Sequence, residues 1–395
     1  MLREVYLVAA TRTPVGKRHG VFKATRPDDL LAHALQSLLR LTPQLDRAAI
    51  GDVIIGCAIP EAEQGLNVAR NASLLAGIPV SVPAYTLNRF CASGVQAIAD
   101  AAMRIRLGEA DVMVAGGVES MSVMSQMAGN TPRPNPRLFS ESEHHAIAYG
   151  MGLTAEKVAS QYQISREDQD TFAQSSHEKA LAAQRNEKFV TEISPFEVVQ
   201  RSPGLKGQVR LSKRLITSDE GPREDSKRAT LAKLKPVFAA RGSVTAGNSA
   251  QMSDGAAAVL LMSEEGLKRY QAEPIAKLVA YRVVGVPPEV MGIGPIEAIT
   301  LALKAAAWRQ DDLDWIELNE AFAAQALAVM RSLRLDAAKV NPVGGAIALG
   351  HPLGATGAIR CATVLAAMQR NEAQRALITM CIGTGMGAAC LLEKI

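Results

Sequence analysis

The sequence predicts an α/β protein made of two α/β blocks, with a long segment of different character between them. Short apolar runs typical of buried strands alternate with Ala- and Leu-rich helical stretches up to about Glu119, and again after Asp254. From Ser120 to about Gly247, Met, Pro, Asn and charged residues interrupt that pattern. The chain has 395 residues, and single cores stop growing at roughly 250 to 300 residues. We therefore expect more than one domain.

The strands expected in the two blocks are short and almost wholly apolar. Val53 to Gly56 and Val112 to Ala115 are the clearest in the first block. In the second block we expect strands from Ala256 to Met262 and from Ala276 to Val284, followed by a helix from Pro295 to Trp308.

Two parts of the intervening segment differ from each other. Residues 153–186 have helical character, whereas Arg201 to Arg228 is rich in Lys, Arg, Asp and Ser with little periodicity. We expect the second part to be irregular structure on the surface, where long loops often cover sites.

The two blocks resemble each other in one detail. Cys91 to Gly94 precedes an Ala-rich helix and the strand at 111–115, and Gly354 to Gly357 precedes a helix and the strand Ala376 to Met380. A duplicated α/β unit is therefore the predicted arrangement.

Composition excludes several classes of protein. The formal net charge is +4 without clustered basic blocks, which disfavours nucleic-acid binding. Five cysteines without paired ligand spacing argue against a disulfide framework and against a metal site. A strand expected from Glu4 to Ala10 leaves no room for a signal peptide, which predicts a cytoplasmic protein. No apolar run reaches the roughly 18 to 20 residues of a membrane span.

Cys91 stands where a strand meets a helix. It follows the strand-like Pro83 to Leu87 and precedes the apolar helix expected from Val95 to Leu107. The free amides and positive end of that helix would lower the pKa of Cys91 and favour the thiolate, and the same amides could stabilise an oxyanion. Alone, Cys91 could equally be a small core residue, as most free cysteines are.

His351 is a candidate base for that thiol. It lies in a glycine-rich turn within Ala346 to Gly357, and the chain has only six histidines. Glycines allow close backbone approach to a ligand, and thiol activation needs an imidazole within hydrogen-bond reach. The alternative interpretation is a structural loop histidine.

Two further stretches could carry chemistry. Cys381 ends an apolar strand and is followed by glycines at alternate positions from Gly383, without the Rossmann spacing, so phosphate binding is disfavoured and a buried thiol before a turn is the alternative. Asn319 lies at an expected strand-to-helix junction, where it could cap the helix or orient a catalytic water.

These four blocks, in this order, resemble the thiolase family, and the resemblance extends from Thr11 to Gly383. It implies a five-layered αβαβα fold made of two similar halves, with coenzyme A bound by an inserted loop domain. The implied division is an N-terminal half at 1–120 continued by 248–272, the loop domain at 121–247, and a C-terminal half at 273–395.

The resemblance also implies a role for each catalytic residue. Cys91 would attack the 3-keto carbonyl, His351 would take its proton, and Cys381 would protonate the acetyl-CoA carbanion that departs. His351 with a water held by Asn319 would stabilise one anion, and the amides of Cys91 and Gly383 the other. A second coenzyme A would then accept the acyl group in a ping-pong mechanism. Coenzyme A is thus a substrate, and no permanently bound cofactor or metal is implied.

A second set of residues is assigned to binding by the same resemblance. Three would surround the acyl and pantetheine channel, namely Met151, Met291 and Phe322. Five would lie along coenzyme A, namely Arg223, Leu231, Ala246, Ser249 and Ala321.

Within the family, Pro60 to Asn67 and the segment from Pro132 to Glu156 are most similar to the degradative 3-ketoacyl-CoA thiolases of fatty acid β-oxidation. The alternatives are a biosynthetic acetyl-CoA C-acetyltransferase that makes acetoacetyl-CoA and a non-catalytic acyl-CoA or lipid-binding relative. Ketoacyl synthases and hydroxymethylglutaryl-CoA synthases share the fold but pair the nucleophile with other acid/base residues. The resemblance implies a homodimer or homotetramer, and leaves open a partner subunit of β-oxidation.

Three residues depart from the family pattern: Val343 replaces a common Asn, Ala250 a common Ser and Ile359 a usual Arg. We expect Val343 and Ala250 near the binding channel, where the loss of a polar side chain would affect affinity and substrate range.

Overall fold

The computed structural model describes residues 2–124, 135–140, 147, 149–203 and 208–395. Much of the stretch expected to shape the acyl pocket, between Met121 and Gly150, lies outside these residues. So does part of the segment from Pro132 that indicates the degradative subtype.

Strands and helices alternate in the two blocks, as expected. The strands of the described chain are β1 (Tyr6–Arg12), β2 (Gly16–Lys17), β3 (Val53–Gly56), β4 (Ala84–Leu87), β5 (Val112–Ser120), β6 (Phe196–Pro203), β7 (Val209–Ile216), β8 (Ser253–Met262), β9 (Ala276–Gly285), β10 (Trp315–Leu318), β11 (Arg375–Ile382) and β12 (Met386–Lys394). Its helices are α1 (Pro27–Leu41), α2 (Val68–Leu75), α3 (Ser93–Arg106), α4 (Met121–Met124), α5 (Arg137–Ser140), α6 (Met151–Gln161), α7 (Arg166–Arg185), α8 (Arg228–Leu231), α9 (Glu264–Tyr270), α10 (Gly294–Ala306), α11 (Ala323–Leu333), α12 (Ala346–Leu349) and α13 (Leu353–Gln369). Among these residues, no helix has both the length and the apolar character needed to cross a bilayer.

The two halves repeat one pattern of strand pairing. In the first, β3 is parallel to β5, β5 is antiparallel to β8, and β8 is antiparallel to β1. In the second, β10 is parallel to β11, β11 is antiparallel to β12, and β12 is antiparallel to β9. A short pairing of β1 with β9, at Tyr6 with Lys277 and Leu7 with Ala276, joins the two sheets at one edge. This repeat agrees with the predicted duplication.

The packing has five layers, because each sheet is covered on both faces. Successive residues of β8 alternate between two cores: Val259 faces α3 and α13 in the centre, whereas Leu260 faces α1 and α2 outside. On the second sheet, Ile378 of β11 joins the central core and Leu377 the outer core formed with α10 and α11. The order helix, sheet, helix, sheet, helix confirms the predicted fold.

The central layer depends on a close contact between α3 and α13. A Cβ atom added to Gly94 would lie 2.8 Å from the amide nitrogen of Ala358, and one added to Gly357 would lie 2.3 Å from that of Val95. Only glycine fits at these two positions, so the helices meet backbone to backbone. The N-termini of the two helices therefore lie side by side. Helix α3 begins two residues after Cys91, and α13 begins two residues after His351.

The expectation of irregular structure from Arg201 to Arg228 was wrong in part. Strand β7 pairs with β6 as an antiparallel hairpin, with Val198 opposite Arg214. Residues 209–215 are exposed, so the surface location was correct for β7 up to Ile216. It was wrong for Asp219, which is buried and pairs with Arg12 at 2.7 Å. The ribbon lacks the apolar alternation of a half-buried strand because little of it contacts the core.

Candidate active site

A strained turn carries Cys91 between β4 and α3. Residues 90–92 form one 3₁₀ turn, and Phe90 has a left-handed φ of +44°, which is costly for a residue with a large side chain. Asn88 Oδ1 accepts a hydrogen bond from the Phe90 amide at 2.8 Å, and Ser93 Oγ donates to the Phe90 carbonyl at 2.7 Å. These polar neighbours fix the turn and hence the position of the thiol.

The Cys91 sulfur accepts hydrogen bonds from two backbone amides, its own and that of Gly383. Both bonds favour the thiolate, but burial outweighs them and raises the pKa of Cys91 to about 11. The nearby carboxylate of Glu119 acts in the same direction as burial. The expectation of a lowered pKa was therefore wrong, because the sequence does not show how strongly the fold desolvates the thiol of Cys91, a residue that is half-buried.

Cys381 lies near the end of β11. It is fully buried and packs with Met291 and Phe322. Burial and the neighbouring sulfur of Cys91 raise the pKa of Cys381 well above its usual value. The two thiols, separated by nearly three hundred positions in the sequence, thus face one region.

His351 is held by its main chain and by one side chain. Gly350 precedes it with a φ of +97°, and a Cβ there would lie 2.4 Å from Ser253 Oγ. The amide of His351 donates to the carbonyl of Gln251 and to Ser253 Oγ. Thr356 Oγ1 lies 2.7 Å from His351 Nδ1.

That contact determines which ring nitrogen carries the proton. The Thr356 hydroxyl donates to the Pro352 carbonyl at 2.9 Å, so its oxygen accepts from His351 Nδ1–H. Nε2 is then unprotonated and carries the basic lone pair of the ring. Burial, followed by the charge of Arg360, lowers the pKa of His351 to about 3. The imidazole is therefore neutral at pH 7, and Nε2 is available to take a proton.

Asn319 contacts this same nitrogen. Its Nδ2 lies 3.3 Å from His351 Nε2, and within the described part of the chain its buried Oδ1 has no hydrogen-bond partner. The helix that follows is not capped by Asn319, because its N-cap residue is Phe322. The capping alternative was therefore wrong. An amide oxygen left free beside the imidazole is suited to orienting a water molecule.

A cavity of about 540 Å³ opens onto Cys91 and His351. Six of the eight residues predicted to bind substrate line it: Met151, Ala246, Ser249, Met291, Ala321 and Phe322. The other two do not. Leu231 packs behind the lining with Ala323 and Ile347, and Arg223 is exposed and pairs with Asp225.

Several residues of the site were not assigned from the sequence. Thr356 sets the tautomer of His351, and the Gln251 side chain donates to the carbonyls of Gly221, Ile347 and Ala348, which fixes the loop before His351. Phe238 and Met252 line the cavity. The periodicity of the sequence gave no signal for them, since they lie in the irregular stretch that precedes β8.

The three departures from the family pattern have different locations. Ala250 lines the cavity, as expected. Val343 instead packs in the central core, to which Ile359 also belongs, and is not among the described residues of the lining. The basic residue next to Ile359, Arg360, is buried and lies 3.4 Å from the Glu317 carboxylate.

A strained nucleophile turn, a second buried thiol and a neutral imidazole beside an apolar cavity define an enzyme of acyl transfer through a cysteine. Family models agree. The model described as "Thiolase, N-terminal domain" matches residues 5–265, and "Thiolase, C-terminal domain" matches residues 272–394. The chain belongs to the thiolase family.

Individual relatives cover essentially the whole chain. It is 48% identical to the 3-ketoacyl-CoA thiolase of Bacillus subtilis (strain 168), over 99% of this chain and 100% of that protein. It is 45% identical to a beta-ketoadipyl-CoA thiolase of Acinetobacter baylyi, over 100% of both. Among solved structures, human mitochondrial 3-ketoacyl-CoA thiolase superposes with a TM-score of 0.89 at 37% identity, covering 100% of this chain and 99% of that one.

The buried thiol leads to a prediction about alkylation. Because burial raises the pKa of Cys91 to about 11, the thiolate fraction of the free enzyme should rise about tenfold per pH unit across neutral and mildly alkaline pH. The rate of Cys91 carbamidomethylation by iodoacetamide, measured by peptide mass spectrometry from pH 6 to 9, should follow that slope. A rate that levels off below pH 7 would instead indicate a standing thiolate.

Proposed function

We propose that this chain cleaves 3-ketoacyl-CoA with coenzyme A, giving acetyl-CoA and a shortened acyl-CoA, through an acyl-enzyme on Cys91. The observation that carries the proposal is one apolar cavity lined by both Cys91 and His351. Cys381 is buried against its lining residues Met291 and Phe322, near enough for the sulfur of Cys91 to raise its pKa. A 3-ketoacyl thioester needs these groups: a nucleophile for the keto carbon, a base for the nucleophile, and an acid for the carbanion released when the C2–C3 bond breaks.

The first half-reaction begins with two neutral groups. The Cys91 sulfur attacks the keto carbon while its proton passes to His351 Nε2, and the alkoxide that forms lies at the amides of Cys91 and Gly383. Those amides already point at the sulfur, so they need no reorganisation when charge develops. A donor of this type contributes about 3 kcal/mol of transition-state stabilisation.

Collapse of the alkoxide breaks the C2–C3 bond and leaves the acyl group on Cys91. The departing acetyl-CoA enolate is stabilised by His351 Nε2–H, which now carries the thiol proton, and by a water oriented by Asn319. Cys381 then gives its proton to the enolate carbon. The raised pKa of Cys381 keeps this thiol protonated until the carbanion forms.

The second half-reaction restores both thiols. Incoming coenzyme A gives its proton to the Cys381 thiolate and attacks the acyl carbonyl, and the Cys91 sulfur leaves and regains its proton from His351. Coenzyme A acts here as a substrate, and the scheme requires no permanently bound cofactor. The reverse direction, in which Cys381 deprotonates acetyl-CoA, is the condensation that would serve a biosynthetic enzyme.

The acyl group is, in this proposal, an uncharged hydrocarbon chain. Methionine and phenylalanine side chains dominate the cavity, and its described lining contains no Lys, Arg, Asp or Glu. Apolar, flexible methionines adapt to chains of different length. Among the described lining residues, none would form an ion pair with a distal carboxylate such as that of a ketoadipyl group.

Replacing the nucleophile tests the acyl-enzyme. Cys91→Ala should reduce thiolysis of 3-ketooctanoyl-CoA at least about a thousandfold and abolish acyl-protein in the intact mass spectrum after incubation with acetyl-CoA. Cys361→Ala is the matched control, because Cys361 is a buried thiol of α13 inside the central core and should retain activity. Wild-type thiolysis by a folded Cys91→Ala protein would exclude the mechanism.

A substrate series tests the acyl class. The kcat/KM for 3-ketooctanoyl-CoA should exceed that for 3-ketoadipyl-CoA at least about a hundredfold, because burial of an unpaired carboxylate costs several kcal/mol. Stopped assays that follow acetyl-CoA release give both values. Equal or better use of 3-ketoadipyl-CoA would contradict an apolar acyl site.

Other expectations stay predictions. These are the domain limits and the coenzyme A-binding role of 121–247, the contacts of Arg223 and Leu231 with coenzyme A, a homodimer or homotetramer, a β-oxidation partner subunit, and residence in the cytoplasm.

A further inference from the structure

Glu119 is a fully buried carboxylate near the active site that has no place in the mechanism above. It ends strand β5 and accepts hydrogen bonds from the Ala58 amide at 2.8 Å, the Gln64 side chain at 2.7 Å and the Gly354 amide at 2.9 Å. The Cys57 thiol points at it from 3.8 Å. Burial raises the pKa of Glu119, and the hydrogen bonds from these donors act in the opposite direction. Three N–H donors on one carboxyl group match an ionised acceptor, since a protonated acid would need an acceptor of its own.

These donors come from different parts of the fold. Ala58 follows β3, Gln64 belongs to the loop before α2, and Gly354 lies in the first turn of α13. The last contact is distinctive because the N-cap residue of α13, Pro352, provides no side-chain cap. Glu119 thus supplies from another strand the negative partner that a helix N-terminus favours.

The capped turn is the one that holds the imidazole. Thr356, in the first turn of α13, binds His351 Nδ1 at 2.7 Å, and His351 stands two residues before the helix. The same turn is seated directly on the sheet, because a Cβ on Gly354 would lie 2.7 Å from the Cα of Cys57 and 2.8 Å from the Val118 carbonyl. Close packing limits how far the turn can move, and the hydrogen bond from the Gly354 amide ties it to the Glu119 carboxylate.

We propose that Glu119 is a positioning residue for the base: its carboxylate anchors the first turn of α13 so that Thr356 presents the His351 imidazole, with Nε2 unprotonated, to the nucleophile. The proposal rests on the thiolysis mechanism above and adds to it a group that never touches substrate. The carboxylate acts through two hydrogen bonds joined by the helix turn: Glu119 accepts from the Gly354 amide, and Thr356, two residues further along that turn, holds His351.

Glu119→Gln tests this role, because the amide keeps the shape but removes the charge, and its NH2 group must face either the Gln64 side-chain donor or the two backbone amides. The kcat for thiolysis should fall about 10- to 100-fold, as expected for a small misplacement of a catalytic group, while KM for coenzyme A changes less than about threefold.

Glu192→Gln is the matched control. Glu192 is also buried and accepts from Thr363 of α13 at 3.0 Å, two turns beyond Thr356, so its loss should lower the melting temperature and leave kcat within about twofold.

A double-mutant cycle with Thr356→Val separates positioning from general damage. If Glu119 acts through Thr356, the double variant should lose little more kcat than the more impaired single variant. If the losses in kcat of the two single variants multiply in the double variant, or if a folded Glu119→Gln enzyme has wild-type kcat, the proposal is overturned.

Should Glu119→Gln fail to fold, Glu119→Asp is the second test. It keeps the buried charge but withdraws it from Gly354, and the same loss of kcat with unchanged KM is expected. Failure of the wild type to cleave 3-ketoacyl-CoA would refute the proposed function instead.

Discussion

The backbone contact between α3 and α13 is the constraint on which the site depends. Gly94 and Gly357 let the two helices approach until no side chain fits between them, and nearly all of α13 is buried between the sheets. Each helix begins just after a reactive residue, Cys91 on one and His351 on the other. Sliding the helices apart would separate nucleophile from base, so the packing of the fold's centre also determines the geometry of the site.

Burial gives the site its chemical character. A covered thiol and a covered imidazole are both neutral, because desolvation raises the pKa of Cys91 to about 11 and lowers that of His351 to about 3. Neither charge exists in the resting enzyme. The amides at Gly383 and Cys91 face the place where the alkoxide would form. The Asn319 oxygen, which has no partner among the described residues, is suited to accept from a water that donates to the enolate. The protein's polar groups are thus arranged for the charges of the reaction and not for those of the ground state.

The fold could be predicted because strands, helices and turns each leave a pattern within a few neighbouring residues of the sequence. Apolar runs with small residues marked the buried strands and the central helices, and the turns at Cys91, His351 and Cys381 stood at the boundaries of those elements. The hairpin of β6 and β7 escaped prediction because exposed strands carry little periodicity. The pKa of Cys91 was predicted with the wrong sign because desolvation depends on distant segments that cover the thiol. Thr356 was missed for a similar reason: its importance lies in one hydrogen bond to a ring nitrogen.

In the proposed mechanism, two thiols act at one reaction centre: Cys91 as the nucleophile and Cys381 as the acid and base. Proton exchange tests this assignment most directly. The wild-type enzyme in D₂O should exchange deuterium into the methyl group of acetyl-CoA, because Cys381 removes and returns that proton. Cys381→Ser should lose this exchange at least about a hundredfold while still becoming acetylated on Cys91. Exchange at the wild-type rate in the folded Cys381→Ser enzyme would contradict the account.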